Sequence, residues 1–348
     1  MTVTGQGRGA TTMRPTTLKV CGVLLLALAA LSAGVTAQKQ DGSAVKASAN
    51  LPARIWRDPG AVATLNLVYG SGGKAHAPDS AGTYTFVSED PIASNPKFAV
   101  VDGQGVEWKV KLGQESQSET AATRFLWAAG YFTDEDYYVA EITVQGMPTL
   151  KRGGEFVSSG GIVRGARLER KRPTVEKLGN WDWYDNPFVG QREMNGLRVM
   201  MALMNSWDLK DVNNAIYAVG GERRYAISDA GAAFGKTGKA GTRSKGDPRD
   251  YADSKFIAKV EPTTVDLVLH SRPFFLSAIA VSNYRERSKM ERITKDIPRA
   301  DAKWLGQRLS MLTDRQIRDA FRAAGFGTDD VGILAKAIRK RIAALKAL

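Results

Sequence analysis

The chain has 348 residues, 43% of them hydrophobic, and a formal net charge of +13. This length and composition suit one large or two modest folded domains and exclude collagen-like, coiled-coil and broadly disordered chains. The positive charge is spread along the sequence, which suits an acidic partner such as a nucleotide, an anionic lipid or an acidic polypeptide. No block of Lys and Arg is interleaved with aromatic residues, so we expect no nucleic acid among the partners.

Residues 1–37 have the pattern of a signal peptide. Arg14 and Lys19 precede an uncharged apolar run, VCGVLLLALAALSAGV, and VTA lies directly before Gln38, with small residues where a signal peptidase cuts. The run is shorter than the roughly 20 residues that a membrane span needs. The sequence therefore predicts export to the periplasm or beyond, with a retained N-terminal membrane anchor as the alternative. Residues 38–53 are small and polar, which predicts a flexible lead-in.

Residues 54–172 predict a β-rich first lobe that contains one helix. Strands are indicated by TYTFVSED, DYYVAEITV and GGIVRGARLERKR, and KFAVVDGQGVEWKVKLG is typical of a hairpin that turns at Asp102 and Gly103. Between these strands, Ala121, Phe125 and Ala128 recur at helical spacing, and Ser118 is the predicted N-terminal cap.

Residues 173–348 predict a mainly helical second lobe. Met194, Leu197, Met201 and Met204 recur at intervals of three and four residues, as on the core face of a helix. Four later segments also have helical spacing: PFFLSAIAVSNYRER, ADAKWLGQRLSML, TDRQIRDAFRAAGF and DDVGILAKAIRKRIAALKAL. The last one is basic and amphipathic, which favours packing on its own lobe and leaves contact with a membrane surface as an alternative. The predicted fold class is α+β, with two lobes.

The segment NSWDLKDVNN, residues 205–214, contains residue types that phosphoryl transfer requires. This chemistry needs a cation on the phosphates, oxygen ligands for Mg²⁺ and a group that orients the nucleophile. Asp208 lies five residues before Asn213, the spacing of a kinase catalytic loop. A predicted strand follows and ends at Asp229 in SDAG, where the D-F-G motif of kinases offers its Asp to the metal.

The upstream half of such a site lies in WKVK and the helix after it. Lys111 ends the strand as the Lys of a kinase Val-Ala-Ile-Lys strand does, and Lys109 is the alternative because it lies on the same face. Glu119 is placed near the start of the helix, where it can pair with the Lys, and Glu115 is the alternative there.

These segments resemble the atypical kinase-like proteins, which include HipA-type kinases, phosphatidylinositol kinases and secreted Golgi-type kinases. The resemblance covers about residues 90–235. The HipA-like group is similar in a Pro-Lys loop ahead of the Lys strand, here NPKF, and in an Asn-x-x-Asp-x-x-x-x-Asn loop, here Asn205 to Asn213.

This resemblance implies a bilobal protein-kinase-like fold that binds ATP and Mg²⁺ in a cleft between the lobes. Asp208 would be the catalytic base, and Glu119 would pair with Lys111. The nucleotide would be bound by Lys111 and by the NPKF residues Asn95, Pro96 and Lys97. The metal would be held by Asn213 and Asp229.

Some positions depart from the kinase pattern. Trp207 precedes Asp208 where many kinases have Arg, Ala230 replaces the D-F-G aromatic residue, and no G-x-G-x-x-G precedes the Lys strand. Three functions therefore stay open at the level of sequence. The first is a kinase with a protein, lipid or small-molecule acceptor, the second is an AMP transferase on the same residues, and the third is an inactive pseudokinase that binds or scaffolds in the cell envelope.

Overall fold

The computed structural model describes residues 50–91, 95–237, 243–269 and 281–348. The predicted signal peptide and most of the predicted lead-in lie outside these ranges. Within them, no helix combines the length and the apolar character that crossing a membrane requires.

The described chain begins mainly with strands and ends mainly with helices. The strands are β1 (Ala53–Arg54), β2 (Thr83–Asp90), β3 (Lys97–Val101), β4 (Glu107–Lys111), β5 (Phe132–Thr133), β6 (Asp136–Gln145), β7 (Val157–Ser158), β8 (Ile162–Arg170), β9 (Glu176–Gly179), β10 (Asn214–Val219), β11 (Glu222–Ile227), β12 (Ile257–Val260), β13 (Thr264–Leu267) and β14 (Ile297–Pro298). The helices are α1 (Glu115–Ala128), α2 (Arg192–Leu203), α3 (Pro248–Asp253), α4 (Val281–Arg292), α5 (Arg299–Leu309), α6 (Asp314–Ala323) and α7 (Thr328–Lys346).

The first lobe is built on a sheet that closes on itself. Its order is β4-β3-β2-β6-β8-β7, and β4 pairs with β8 as well as with β3. Strand alternation places Trp108 and Val110 of β4 in a buried apolar core, while Lys109 and Lys111 lie on the opposite face. The register sets Lys111 opposite Lys97 on one side and opposite Arg167 on the other. This charged face of the sheet is the side that carries the candidate site.

Helix α1 packs between the charged face and the second lobe. The prediction that Ser118 caps it is wrong: a turn in which the Ser116 N–H donates to the Gly113 carbonyl oxygen (3.0 Å) starts the helix at Glu115. Ser118 consequently lies inside the helix, and its Oγ donates to the Gly231 carbonyl oxygen at 2.5 Å. On the side toward the second lobe, Phe125 packs against Phe234 and Phe321, with ring centroids 5.9 and 5.1 Å away.

A second sheet, ordered β1-β11-β10-β9 with β5 on β11, belongs mainly to the second lobe. Two of its short strands, β1 and β5, come from residues before 172, so the chain crosses between the lobes more than once. Ala53, at the end of the predicted lead-in, already pairs with Arg223 in this sheet.

Helices make up most of the second lobe. The methionine face of α2 is buried, including Met194 and Met201. Helix α6 begins with a capping box between Thr313 and Gln316. Helix α7 buries its apolar side against α3, α5 and α6, and its buried residues include Ile338. The α+β class is therefore confirmed, with a β-rich lobe that carries one helix followed by a mainly helical lobe.

Candidate active site

The Lys111 amine brings together three carboxylates from two parts of the chain. Its Nζ lies 2.7 Å from Glu119 Oε2, 3.0 Å from Glu115 Oε2 and 3.0 Å from Asp229 Oδ2. The Lys111 side chain is fully buried, whereas the Asp229 side chain is 29% exposed. The structure thus joins the predicted Lys, Glu and second Asp, although Asp229 is 118 residues from Lys111.

This arrangement keeps Lys111 and Asp229 charged. Burial alone would lower the pKa of Lys111, but Glu119 and Asp229 outweigh it and hold that pKa above its usual range. Burial would raise the pKa of Asp229, but Lys111 and Lys97 hold it well below its usual range. An ionised carboxylate at the edge of a cleft, beside two amines, can bind a cation or help to position an anion.

Arg167 fixes Glu119 from the other side. Its Nε lies 3.3 Å from Glu119 Oε2, and its Nη1 contacts Asp136 and, at 3.0 Å, Glu169. Burial raises the pKa of Glu119, and the Arg167 and Lys111 charges oppose that rise. No local sequence pattern indicates Arg167, because its position opposite Lys111 depends on strand register.

The alternatives at the Lys and Glu positions have different outcomes. Lys109 lies on the same face as Lys111, but its half-exposed amine pairs with Glu169 at 2.8 Å instead of joining the cluster. Glu115 and Glu119 both contact Lys111, since residues four apart lie on one face of a helix. Glu115 also accepts from Lys245 Nζ at 2.6 Å, a contact that no local pattern indicates.

The NPKF segment lies beside this cluster. Lys97 Nζ is 3.8 Å from Asp229 Oδ2, and the Asn95 side chain donates to Glu115 Oε2 at 2.5 Å. The Pro96 carbonyl oxygen accepts from the Leu112 N–H at 3.0 Å, which ties the segment to the end of the Lys strand. All three predicted residues therefore adjoin the site, and Lys97 adds a second amine to it.

The predicted catalytic loop is tied to Asp229 through Asn213. The Asn213 side chain donates to the Asp208 carbonyl oxygen at 2.7 Å, and the Asn213 carbonyl oxygen accepts from the Ser228 and Asp229 N–H groups at 2.9 and 3.0 Å. The Asp208 carboxylate is partly exposed and lies 3.3 Å from Lys210 Nζ. One asparagine thus holds both aspartate segments in place.

Asp208 and Glu115 line the same cavity of about 320 Å³. Its other lining residues include Asn95, Lys210 and Lys245, so both amines and carboxylates line it. Trp207, which stands where many kinases have Arg, also lines the cavity and is covered by the Arg243 guanidinium, 4.3 Å from the ring centroid. No local pattern places Arg243 or Lys245 here, because neither belongs to one of the motifs.

The predicted catalytic loop is anchored at its start by a residue from the last helix. Asn205 has a φ of 53°, and its side chain donates to the Gly235 carbonyl oxygen at 2.8 Å. Arg341 of α7 donates to Asn205 Oδ1 at 2.8 Å and to the Leu203 carbonyl oxygen at 3.0 Å. The buried Arg341 guanidinium therefore links the C-terminal helix to the loop that carries Asp208.

The donor set fits Mg²⁺ better than a metal that prefers nitrogen or sulfur. Asp229 is ionised, and Asn213 Oδ1 accepts no hydrogen bond from the described residues. In the described ranges, no group of three or more His, Cys, Asp or Glu side chains is arranged to hold a metal ion. A cation here would need further oxygen ligands from water or phosphate, as is common for Mg²⁺.

Comparisons with known proteins find distant structural similarity to kinases. No protein-family model matches the chain, and no curated protein matches it by sequence. The proinflammatory kinase CtkA of Helicobacter pylori is 12% identical in sequence. The match covers 77% of this chain and 97% of the CtkA chain, with a TM-score of 0.44. A Golgi casein kinase is 10% identical over 82% of this chain and 78% of its own, with a TM-score of 0.31. The Golgi casein kinase with Mn and ADP bound is 9% identical. The match covers 77% of this chain and 75% of the kinase chain, with a TM-score of 0.29.

Proposed function

We propose that this protein is an atypical kinase-like transferase that binds ATP with Mg²⁺ and passes a phosphoryl group to an acceptor. The observation that carries the proposal is the contact of the Lys111 amine with the Glu119 and Asp229 carboxylates, beside a cavity that Asp208 lines. Catalysis of phosphoryl transfer is mostly positioning and charge stabilisation, and this group of residues is suited to both.

Each residue has a role in this proposal. Lys111, held by Glu119, donates to phosphate oxygens, and Lys97 adds positive charge next to it. Asp208 accepts the proton of the acceptor hydroxyl. The hydroxyl oxygen bonds to the γ-phosphorus of ATP, the bond from that phosphorus to the β–γ bridging oxygen breaks, and ADP leaves. Asn213 and Asp229 would hold Mg²⁺, which when bound offsets negative charge on the phosphates.

Nucleotide binding is tested by thermal shift. ATP with Mg²⁺ should raise the melting temperature of the purified protein, since a ligand that binds the folded state stabilises it. Asp229→Ala should remove the Mg²⁺-dependent part of this rise. Lys109→Ala is the matched control, because Lys109 lies on the same face of β4 outside the cluster, and it should keep the full rise. An equal rise in the Asp229→Ala variant would contradict the metal assignment.

The reaction is tested with labelled ATP. Label from the γ-phosphate on an acceptor or on the protein itself supports a kinase, and label from the α-phosphate supports AMP transfer. Binding of ATP without transfer of either label would support a pseudokinase that acts as a binding module. Asp208→Ala should abolish transfer while keeping the thermal shift, because Asp208 acts on the acceptor and not on the nucleotide.

Export is part of the proposal and is supported by the pattern of residues 1–37 alone. An exported chain would meet its acceptor in the periplasm or outside the cell.

A further inference from the structure

A second cavity, of about 660 Å³, is lined by Arg124 of α1 and by none of the residues of the Lys111 cluster. Its walls come from β6, from the end of α6 and from the loop before β2. Apolar and aromatic side chains line much of it, including Val68, Tyr69, Pro78, Tyr138 and Val139. Its volume lies within the range of pockets that bind small molecules.

Arg124 of α1 lines this cavity with its charge unpaired. Its side chain is 1% exposed. Across the described ranges, its guanidinium makes no hydrogen bond or ion pair, and its Nε is a buried donor that lacks a partner. Gly70 makes room for it, since a Cβ at that position would lie 2.4 Å from Arg124 Nη1. The Tyr137 ring, with its centroid 5.4 Å from the guanidinium carbon, covers one side of the group.

Arg124 has an acidic neighbour but no direct ion pair within the described part of the chain. Asp136 is the acidic residue whose charge acts on it. Asp136 Oδ1 is bonded to Arg167, Asp136 Oδ2 has no hydrogen-bond partner among the described residues, and no ion pair joins Asp136 to Arg124. At the rim, Glu141 is paired with Arg164 at 3.1 Å, and Arg322 is paired with Asp319 at 3.0 Å. Burial lowers the pKa of Arg124 to about 10, against the opposing effect of Asp136, as expected for a cation that lacks a direct counter-ion.

We propose that this cavity binds a small molecule with one anionic head group, a carboxylate or a phosphate, on an apolar or aromatic body. The head group meets the Arg124 guanidinium, whose planar fork matches both anions. The body packs on Tyr69, Tyr138 and Val139. A ligand of this kind supplies the direct ion pair that Arg124 lacks among the described residues. The site is separate from the proposed nucleotide site and does not depend on ATP binding.

Titration calorimetry of the full chain without nucleotide tests the site with three probes that share a phenyl ring and differ in the attached group. Benzoate and phenyl phosphate carry the two candidate head groups, and benzyl alcohol is the neutral control. At least one anion should bind with a stoichiometry of one, and benzyl alcohol should bind at least tenfold more weakly. Tighter binding of phenyl phosphate identifies a phosphate ligand, and tighter binding of benzoate identifies a carboxylate. Failure of both anions to saturate the protein at millimolar concentration would overturn the proposal.

Variants locate the binding. Arg124→Gln removes the charge and should weaken anion binding at least tenfold. Ala140→Trp fills the cavity from an exposed position on β6, leaves Arg124 in place and should weaken binding as well. Arg315→Gln changes an arginine on α6 that is 89% exposed and should leave binding unchanged. Undiminished binding in the Ala140→Trp protein, or in a folded Arg124→Gln protein, would refute the assignment.

Discussion

Replacing Lys111 by methionine removes a buried cation that Glu115, Glu119 and Asp229 share at distances of 2.7 to 3.0 Å. Breaking a buried ion pair by removing one partner costs about 3–5 kcal/mol, because the other charge stays buried without compensation. Each carboxylate here keeps a second cation. These cations are Lys245 for Glu115, Arg167 for Glu119 and Lys97 for Asp229. We therefore expect a loss near the lower end of the range, about 3 kcal/mol.

Lys109→Met is the matched comparison. Both lysines lie on one face of β4, but the Lys109 side chain is 54% exposed and contacts one carboxylate, that of Glu169. An exposed ion pair contributes about 0–1 kcal/mol. Urea unfolding with linear extrapolation measures both losses on the same protein. A difference of less than about 1 kcal/mol between the two variants would refute the inference that the Lys111 cluster is a buried, tightly coupled group.

Three further predictions concern acid stability, loop anchoring and processing. Because the folded-state pKa of Asp229 is lowered, the ionised Asp229 stabilises the fold above the unfolded-state pKa of about 3.9, and this stabilisation is lost as the pH falls below that value. In an acid titration, the free energy of unfolding of the Asp229→Asn variant should therefore fall less between about pH 4 and pH 2 than that of the unmodified protein. Arg341→Met should cost about 2–3 kcal/mol in urea unfolding, since it removes buried charged hydrogen bonds to Asn205 and to backbone carbonyl groups. If the chain is exported as proposed, N-terminal sequencing of the mature protein should begin at Gln38, and an uncleaved N-terminal segment would favour the anchored alternative.

Sequence patterns predicted the parts of the site that depend on local rules. Alternation along β4 placed Lys111 opposite the apolar core, and the spacing of Asp208 and Asn213 marked the loop that the structure ties to Asp229. Helical periodicity identified α1 but not its first residue. With the helix start predicted at Ser118, Glu115 falls outside the helix, whereas the structure places it one turn before Glu119 on the same helix face.

Other contacts depend on tertiary structure and have no local signal. Arg167 meets Glu119 through the register of β4 and β8, and a shift of one residue would turn it to the other face. Arg341 and Lys245 reach the site from segments far along the chain. The two-residue strands β1 and β5 are too short for periodicity to show, so the crossing of the chain between lobes was not expected.

The attachment of α1 has a consequence for motion. Phe125 packs on Phe234 and Phe321, Ser118 is bonded to Gly231, and the Gln117 side chain donates to the Gly325 carbonyl oxygen at 2.7 Å. Opening of the cleft would therefore carry this helix along with the helical half of the molecule and separate Glu119 from the strand that holds Lys111. The Lys111–Glu119 ion pair would then hold the cleft closed. Its separation would show as faster amide hydrogen exchange in β4 while the amides of α1 stay protected.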